Sequence, residues 1–150
     1  MFNIPELFDK ITPFKIDSLE DIGDILQYAL PWAGLLAVAL QGDQPGAWKW
    51  LWSGIAVTAS TFILKQLFNF TPLGRRPNGG NSAFPSGHTS GAFMGAAFIH
   101  FQFTFVWALA PYLLAALTGY SRVLANKLWR RVVIAGAVFA FGVVWVIVKY

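Results

Sequence analysis

The chain has no cysteine and little charge. Without cysteine there is no disulfide framework, no thiolate chemistry and no cysteine-bound metal, and the redox compartment cannot be read. Asp, Glu, Lys and Arg make up 12% of the 150 residues, against 56% hydrophobic. Soluble domains carry about 25% charge, so an ordinary soluble domain is excluded. The mean hydropathy is +0.54, and the apolar runs approach the ~20 residues that cross a ~30 Å hydrocarbon core. The composition is that of an integral membrane protein. A cleavable signal peptide is not expected, because the N-terminus is acidic, is broken by Pro5 and Pro13, and lacks a basic then apolar leader pattern. Repeats, low-complexity segments and domain boundaries are also missing, so one integral-membrane domain over residues 1–150 is expected.

Acidic residues are missing from most of the chain. Glu6, Asp9, Asp17, Glu20, Asp21 and Asp24 fall within the first 24 residues, and Asp43 is the last. Lys65, Arg75, Arg76, Arg122, Lys127, Arg130 and Arg131 all follow. No later carboxylate can match them. They require headgroup phosphates, a phosphorylated ligand or the acidic N-terminal segment.

What the chain does have is a polar stretch between apolar runs, RRPNGGNSAFPSGHTS over residues 75–90. Asn78, Gly79, Gly80 and Asn81 predict a loop. Ser86 is placed to cap a helix whose apolar residues begin at Ala92. Two guanidiniums upstream of a helix N-terminus, with an imidazole in its first turn, favour a bound anion, phosphate above all. A solvated basic loop facing lipid headgroups is the alternative.

Residues 1–15 predict irregular chain. Over 16–26, Ile16, Leu19, Ile22 and Leu26 recur at helical spacing opposite Asp17, Glu20, Asp21 and Asp24, which fits a helix lying on the membrane surface or a soluble lead-in. Spans are expected over 25–40, bent at Pro31, and over 48–68, where Trp48, Trp50 and Trp52 form an interfacial belt and Lys65 can snorkel. Residues 91–117 read either as one long span or as a hairpin turning near Gln102. The two options put His88 and Arg122 on opposite sides or on one side, and hairpin arms of ~15 residues reach only ~23 Å. Gly87, Gly91 and Gly95 form a small-residue face suited to close packing or oligomer contact. Residues 119–131 are a second polar island, followed by a last span over 132–148 that carries Gly136 and Ala140 on one face. The expected fold is an all-α, polytopic transmembrane bundle of about five spans with an N-terminal interfacial helix.

Lys65, Arg76-Pro77, Pro85-Ser86-Gly87-His88 and Ser121-Arg122 together resemble the motifs of the type 2 phosphatidic acid phosphatases, membrane relatives of the vanadium haloperoxidases. The resemblance covers residues 65–136. It implies that Lys65, Arg76 and Arg122 hold phosphate oxygens, that Ser86 and the Gly87 amide complete the cradle, and that His88 is the general acid for the leaving alkoxide. Such groups suit phosphoryl transfer, which spreads negative charge over the transferred oxygens. The resemblance also selects the hairpin, which returns Arg122 to the side of His88.

Two positions depart from that pattern. Ten residues separate Lys65 from Arg76 where the family has six, and Asn69 stands at the usual spacing. The family's nucleophilic histidine and its orienting aspartate fall on Leu128 and Val132. Leucine has no lone pair to attack phosphorus. His100 lies twelve residues beyond His88, ~18 Å along a helix, and nothing in the sequence places an N-terminal carboxylate at the site. The expectation is therefore a lipid phosphatase relative that binds phosphate with hydrolysis impaired or absent. A non-catalytic phospholipid-binding member and a small transmembrane scaffold or transport subunit are the alternatives. The expected partners are a phosphorylated lipid and membrane lipids, with no nucleic acid, cofactor or metal. Lys10, Lys15 and the later cations gather on one side, which the positive-inside rule names cytoplasmic. The resemblance implies the outer face of a bacterial plasma membrane, and it is preferred because site cations serve the ligand.

Overall fold

Five α-helices and one 3-10 turn organise residues 16–150, the part of the chain described by this computed structural model. They are α1 (Ile16–Leu40), α2 (Gln44–Phe68), the 3-10 turn Pro72–Gly74, α3 (Gly87–Gln102), α4 (Phe105–Leu124) and α5 (Arg130–Lys149). The irregular stretch expected over 1–15, and the reading of its leader, lie outside the described residues.

The starts of α2 and α3 follow from their local sequence. Asp43 caps α2 by accepting from the Gly46 amide at 2.9 Å, and Pro45 sits in the first turn, where its missing N–H costs nothing. The tight α1–α2 turn needs Gly42, whose φ is +67°. Ser86 caps α3, its Oγ accepting from the Thr89 amide at 3.2 Å.

The surface helix expected over 16–26 is corrected. Those residues are the opening turns of α1, which continues unbroken through Pro31 to Leu40. Part of the acidic face is turned onto the bundle, with Glu20 paired to Arg122 and Lys127, and Asp24 to His88 and Arg122, while Asp21 stays exposed.

α3 is the centre of the bundle and packs against all four other helices. Ala92, Ala96, Ala97 and Phe98 have no exposed surface. Its small residues allow this close approach, since a Cβ on Gly95 would collide with the Leu30–Pro31 backbone and one on Gly91 would press on the Gln27 carbonyl. On α5, Gly136 meets the Ser86 carbonyl in the same way. The close helix packing expected of these small-residue faces is made inside the chain at Gly91, Gly95 and Gly136. Phe98 joins Val38, Val57, Met94, Ala140 and Val144 in one core that ties α1, α2, α3 and α5.

The hairpin reading holds. α3 ends at Gln102, the chain turns at Phe103 and Thr104, and α4 returns to the end where α3 began. Three helices are long and apolar enough to cross a membrane, over Leu19–Leu40, Gln44–Phe68 and Arg130–Lys149. Leu36, Phe62, Leu113, Ile134 and Val138 are exposed around the bundle, an apolar exterior that suits lipid contact and not water. The chain is an integral membrane protein. Shielded by its neighbours, α3 does not itself have to face lipid.

Candidate functional site

The polar residues singled out in the sequence collect at one end of the bundle. α2 delivers Lys65 on its last full turn, and Asn69 follows one turn later on the same face. The Asn69 side chain accepts from the Ser82 amide at 3.1 Å and from its hydroxyl at 3.3 Å. Lys65 Nζ donates to the Ser82 carbonyl at 2.9 Å, and Arg76 donates through Nε to the Asn81 carbonyl at 2.8 Å. Both cations thus hold the same short segment. The ten-residue separation is bridged because the lysine side chain spans the extra helical turn, while the residue at the family spacing staples the loop. Gly79, at φ +88°, closes the tight turn that returns the chain beside Arg76.

Loop and helix then present Gly87 and His88 at the N-terminus of α3, where free amides and the helix dipole favour an anion. α4 brings Arg122 from the opposite side. It is 5% exposed, and its Nε is buried without a hydrogen-bond partner among the described residues. The loop after α4 wraps the Arg122 carbonyl, which accepts from the Lys127 and Leu128 amides at 3.1 and 3.3 Å.

Lys65, Arg76, Gly87, His88, Arg122 and Leu128 all line one cavity of about 1040 Å³. Away from these groups its walls are mostly apolar and aromatic, reaching Trp32 and Trp50, with Gln27, Thr58, Thr61 and Ser90 among them. Ser86 and Val132 do not line it. Ser86 is fully buried, its hydroxyl occupied by the cap and a 2.8 Å bond to Thr89 Oγ1. Val132 is fully buried behind Leu128, in a cluster with Ala83. His100 is engaged elsewhere, its Nδ1 2.8 Å from the Tyr112 hydroxyl near the α3–α4 turn.

Two residues of the site escaped the sequence reading. Asp24 Oδ1 is 2.7 Å from His88 Nε2 and 3.5 Å from Arg122 Nη1. Glu20, one turn earlier, is 2.9 Å from Lys127 Nζ and 3.5 Å from Arg122 Nη1. The signal was present in two halves: carboxylates four residues apart on one helix, and a chain without acids after Asp43. Burial, then the charge of Arg122, lowers the pKa of His88 below its ordinary value, against the opposing hydrogen bond and charge of Asp24. Burial, then the same Arg122 charge, lowers Arg76.

The family model described as PAP2 superfamily matches residues 32–150. The chain belongs to the PAP2 superfamily. All the motif residues quoted above lie inside that match, and Glu20 and Asp24 lie before it. Among curated relatives, the "Lipid A 4'-phosphatase" of Helicobacter pylori strain J99 is 29% identical over 132 residues, covering 83% of this chain and 66% of that protein. The PAP2 chain therefore spans about two thirds of the length of that relative. No solved structure matches it.

Proposed function

We propose that this PAP2-superfamily chain binds the phosphate of a membrane lipid, with Lys65, Arg76, Arg122 and the Gly87 amide as its phosphate cradle. His88 is the proton donor to the leaving oxygen. Ser86 supports the cradle by capping α3, and does not touch the ligand. Hydrolysis through the family's histidine route is impaired, because Leu128 and Val132 stand where nucleophile and orienting carboxylate belong. The five helices cross the membrane with Arg76, His88 and Lys127 at the interface, and the site faces the outside of a bacterial plasma membrane. A name for the lipid comes no closer than a phosphate on a hydrocarbon anchor, the class to which the relative's substrate belongs by its printed name.

One observation carries this reading: cations from α2, the loop and α4 meet at one end of a cavity whose remainder is mostly apolar. Along α2 the lining runs from Lys65 to Trp50, roughly 22 Å at 1.5 Å per residue. That exceeds the ~15 Å depth of one hydrocarbon leaflet, half of the ~30 Å core, so a lipid tail has room where a free phosphate has no use for it. The buried, unpartnered Nε of Arg122 supports the anion end, since buried donors are seldom left unpaired.

The test compares binding of a short-chain phosphatidic acid with binding of the matching diacylglycerol to the detergent-solubilised chain, by calorimetry. Phosphate-dependent binding that weakens in R76A and R122A supports the proposal. Equal binding of both lipids would overturn it. Phosphate release that appears only in L128H/V132D supports the missing-nucleophile half, and vigorous release by the unaltered chain would refute that half alone.

A further inference from the structure

We propose that Asp24 is a positioning residue of this site: from α1 it fixes the ring of His88 and keeps a proton there among the surrounding cations. The inference rests on the lipid-phosphate reading above. It adds a residue that lies N-terminal to the segment matched by the family model.

The geometry is specific. Asp24 Oδ1 reaches His88 Nε2 at 2.7 Å and Arg122 Nη1 at 3.5 Å. His88 and Arg122 line the cavity, but Asp24 does not. The carboxylate therefore grips two lining residues from outside the ligand space. A carboxylate on one imidazole nitrogen sets the tautomer and ring orientation, and leaves the other nitrogen to exchange a proton. His88 Nδ1 has no partner among the described residues, so it is the atom free to do so.

The surrounding charges explain why a carboxylate is required. His88 faces Arg122 from α4 and Arg76 from the loop, with Lys65 of α2 lining the same cavity. Partial burial, then Arg122 and Arg76, oppose an imidazolium. An anion beside the ring offsets part of that opposition, and the hydrogen bond and charge of Asp24 both act in that direction. The chain has no acid after Asp43, and residue 132 is valine. Glu20 is engaged with Lys127 and Arg122. Among the described residues, Asp24 is the carboxylate that reaches the ring. In the transfer step, Nδ1–H gives its proton to the leaving oxygen as that oxygen takes the electron pair of the breaking P–O bond. The ring returns to the neutral Nε2–H tautomer that Asp24 holds, while in L128H/V132D the lone pair of the introduced imidazole forms the new N–P bond as the P–O bond breaks.

The experiment uses the full chain in nanodiscs, with ¹⁵N-labelled histidine followed by NMR through a pH titration. There are two histidines, and H100Q assigns them. D24N is expected to move the His88 midpoint to lower pH and to mix its tautomers, whereas D24E, which keeps the charge, restores both. In the L128H/V132D background, D24N is expected to lower kcat about ten- to a hundred-fold, part of the ~10²–10⁴ that general acid–base catalysis contributes. KM should change little, and the alkaline limb of the rate profile should shift to lower pH. An unchanged His88 titration in D24N overturns the proposal. If L128H/V132D releases no phosphate, the phosphatase reading fails instead, and the NMR titration still decides the role of Asp24.

Discussion

Asn69 stands one helical turn after Lys65 on the same face of α2, and it is Lys65 that lines the cavity. The family spacing would have chosen position 69, but the side chain there bonds the backbone and hydroxyl of Ser82. The two residues should therefore fail differently. K65M is expected to weaken vanadate or lipid-phosphate binding about ten-fold, the scale of a single charge-assisted hydrogen bond at ~1.5–3 kcal/mol, with little loss of Tm. N69A should lower Tm, by about 1 kcal/mol of stability per lost bond, with a smaller effect on affinity. Calorimetry and thermal unfolding of both variants separate the roles.

Restoring the family pair is a stability experiment as well as an activity experiment. Val132 has no exposed surface and packs with Leu128 and Ala83. V132D alone places a polar group there without a partner, and is expected to cost at least ~1–3 kcal/mol. L128H supplies an imidazole within the same cluster, so the double variant should be more stable than the sum of the singles. A double-mutant cycle on Tm measures that coupling. Phosphate release should accompany it.

What the sequence allowed and what it hid divide along chain distance. The cap at Ser86 and the loop at 78–81 are local signals, and each is seen in the structure, whereas the hairpin is open on the local pattern and follows from the resemblance. The motif residues were found because their spacings along the chain are short and their types unusual. The pairing of Asp24 with His88 joins residues 64 positions apart, and no local periodicity encodes it. An acidic stripe beside an apolar one reads equally well as a surface helix or as a bundle helix whose acids face cations. The deciding fact, that the cations sit across from it, exists only after folding. Ser86 illustrates a different limit: one hydroxyl can cap a helix or bind a ligand, and its burial commits it to the cap.

Glycines that look alike in the sequence should tolerate alanine very differently. At Gly95 a Cβ would run into the Leu30–Pro31 backbone, whereas at Gly142 it would meet nothing within 4 Å. G95A is expected to cost about 1–3 kcal/mol from overpacking, measured as a fall in Tm. G142A should be neutral or gain up to ~1 kcal/mol from helix propensity.

Acid should weaken the fold through His88. Its pKa in the folded chain is lowered, so the unfolded chain binds more protons between the folded value and the ordinary ~6.5. Stability from this group is complete above pH ~6.5 and is lost as pH falls through that window. H88Q should flatten the dependence of Tm on pH over that range. An unchanged slope in H88Q would assign the effect to other groups.

At the end of the bundle opposite the site, Asp43 accepts from the Gly46 amide through one oxygen, and through the other from the Gln102 side chain at 2.7 Å. It ties the α1–α2 turn to the end of α3. Nearby, Trp50 donates to the Pro31 carbonyl at 2.6 Å and packs against Trp32 with the rings tilted by 45°. α1 and α2 are thus pinned together like tongs at their closed end. The spacing of the two cavity walls is therefore set from the end away from Lys65 and Asp24, partly by residues that no ligand touches.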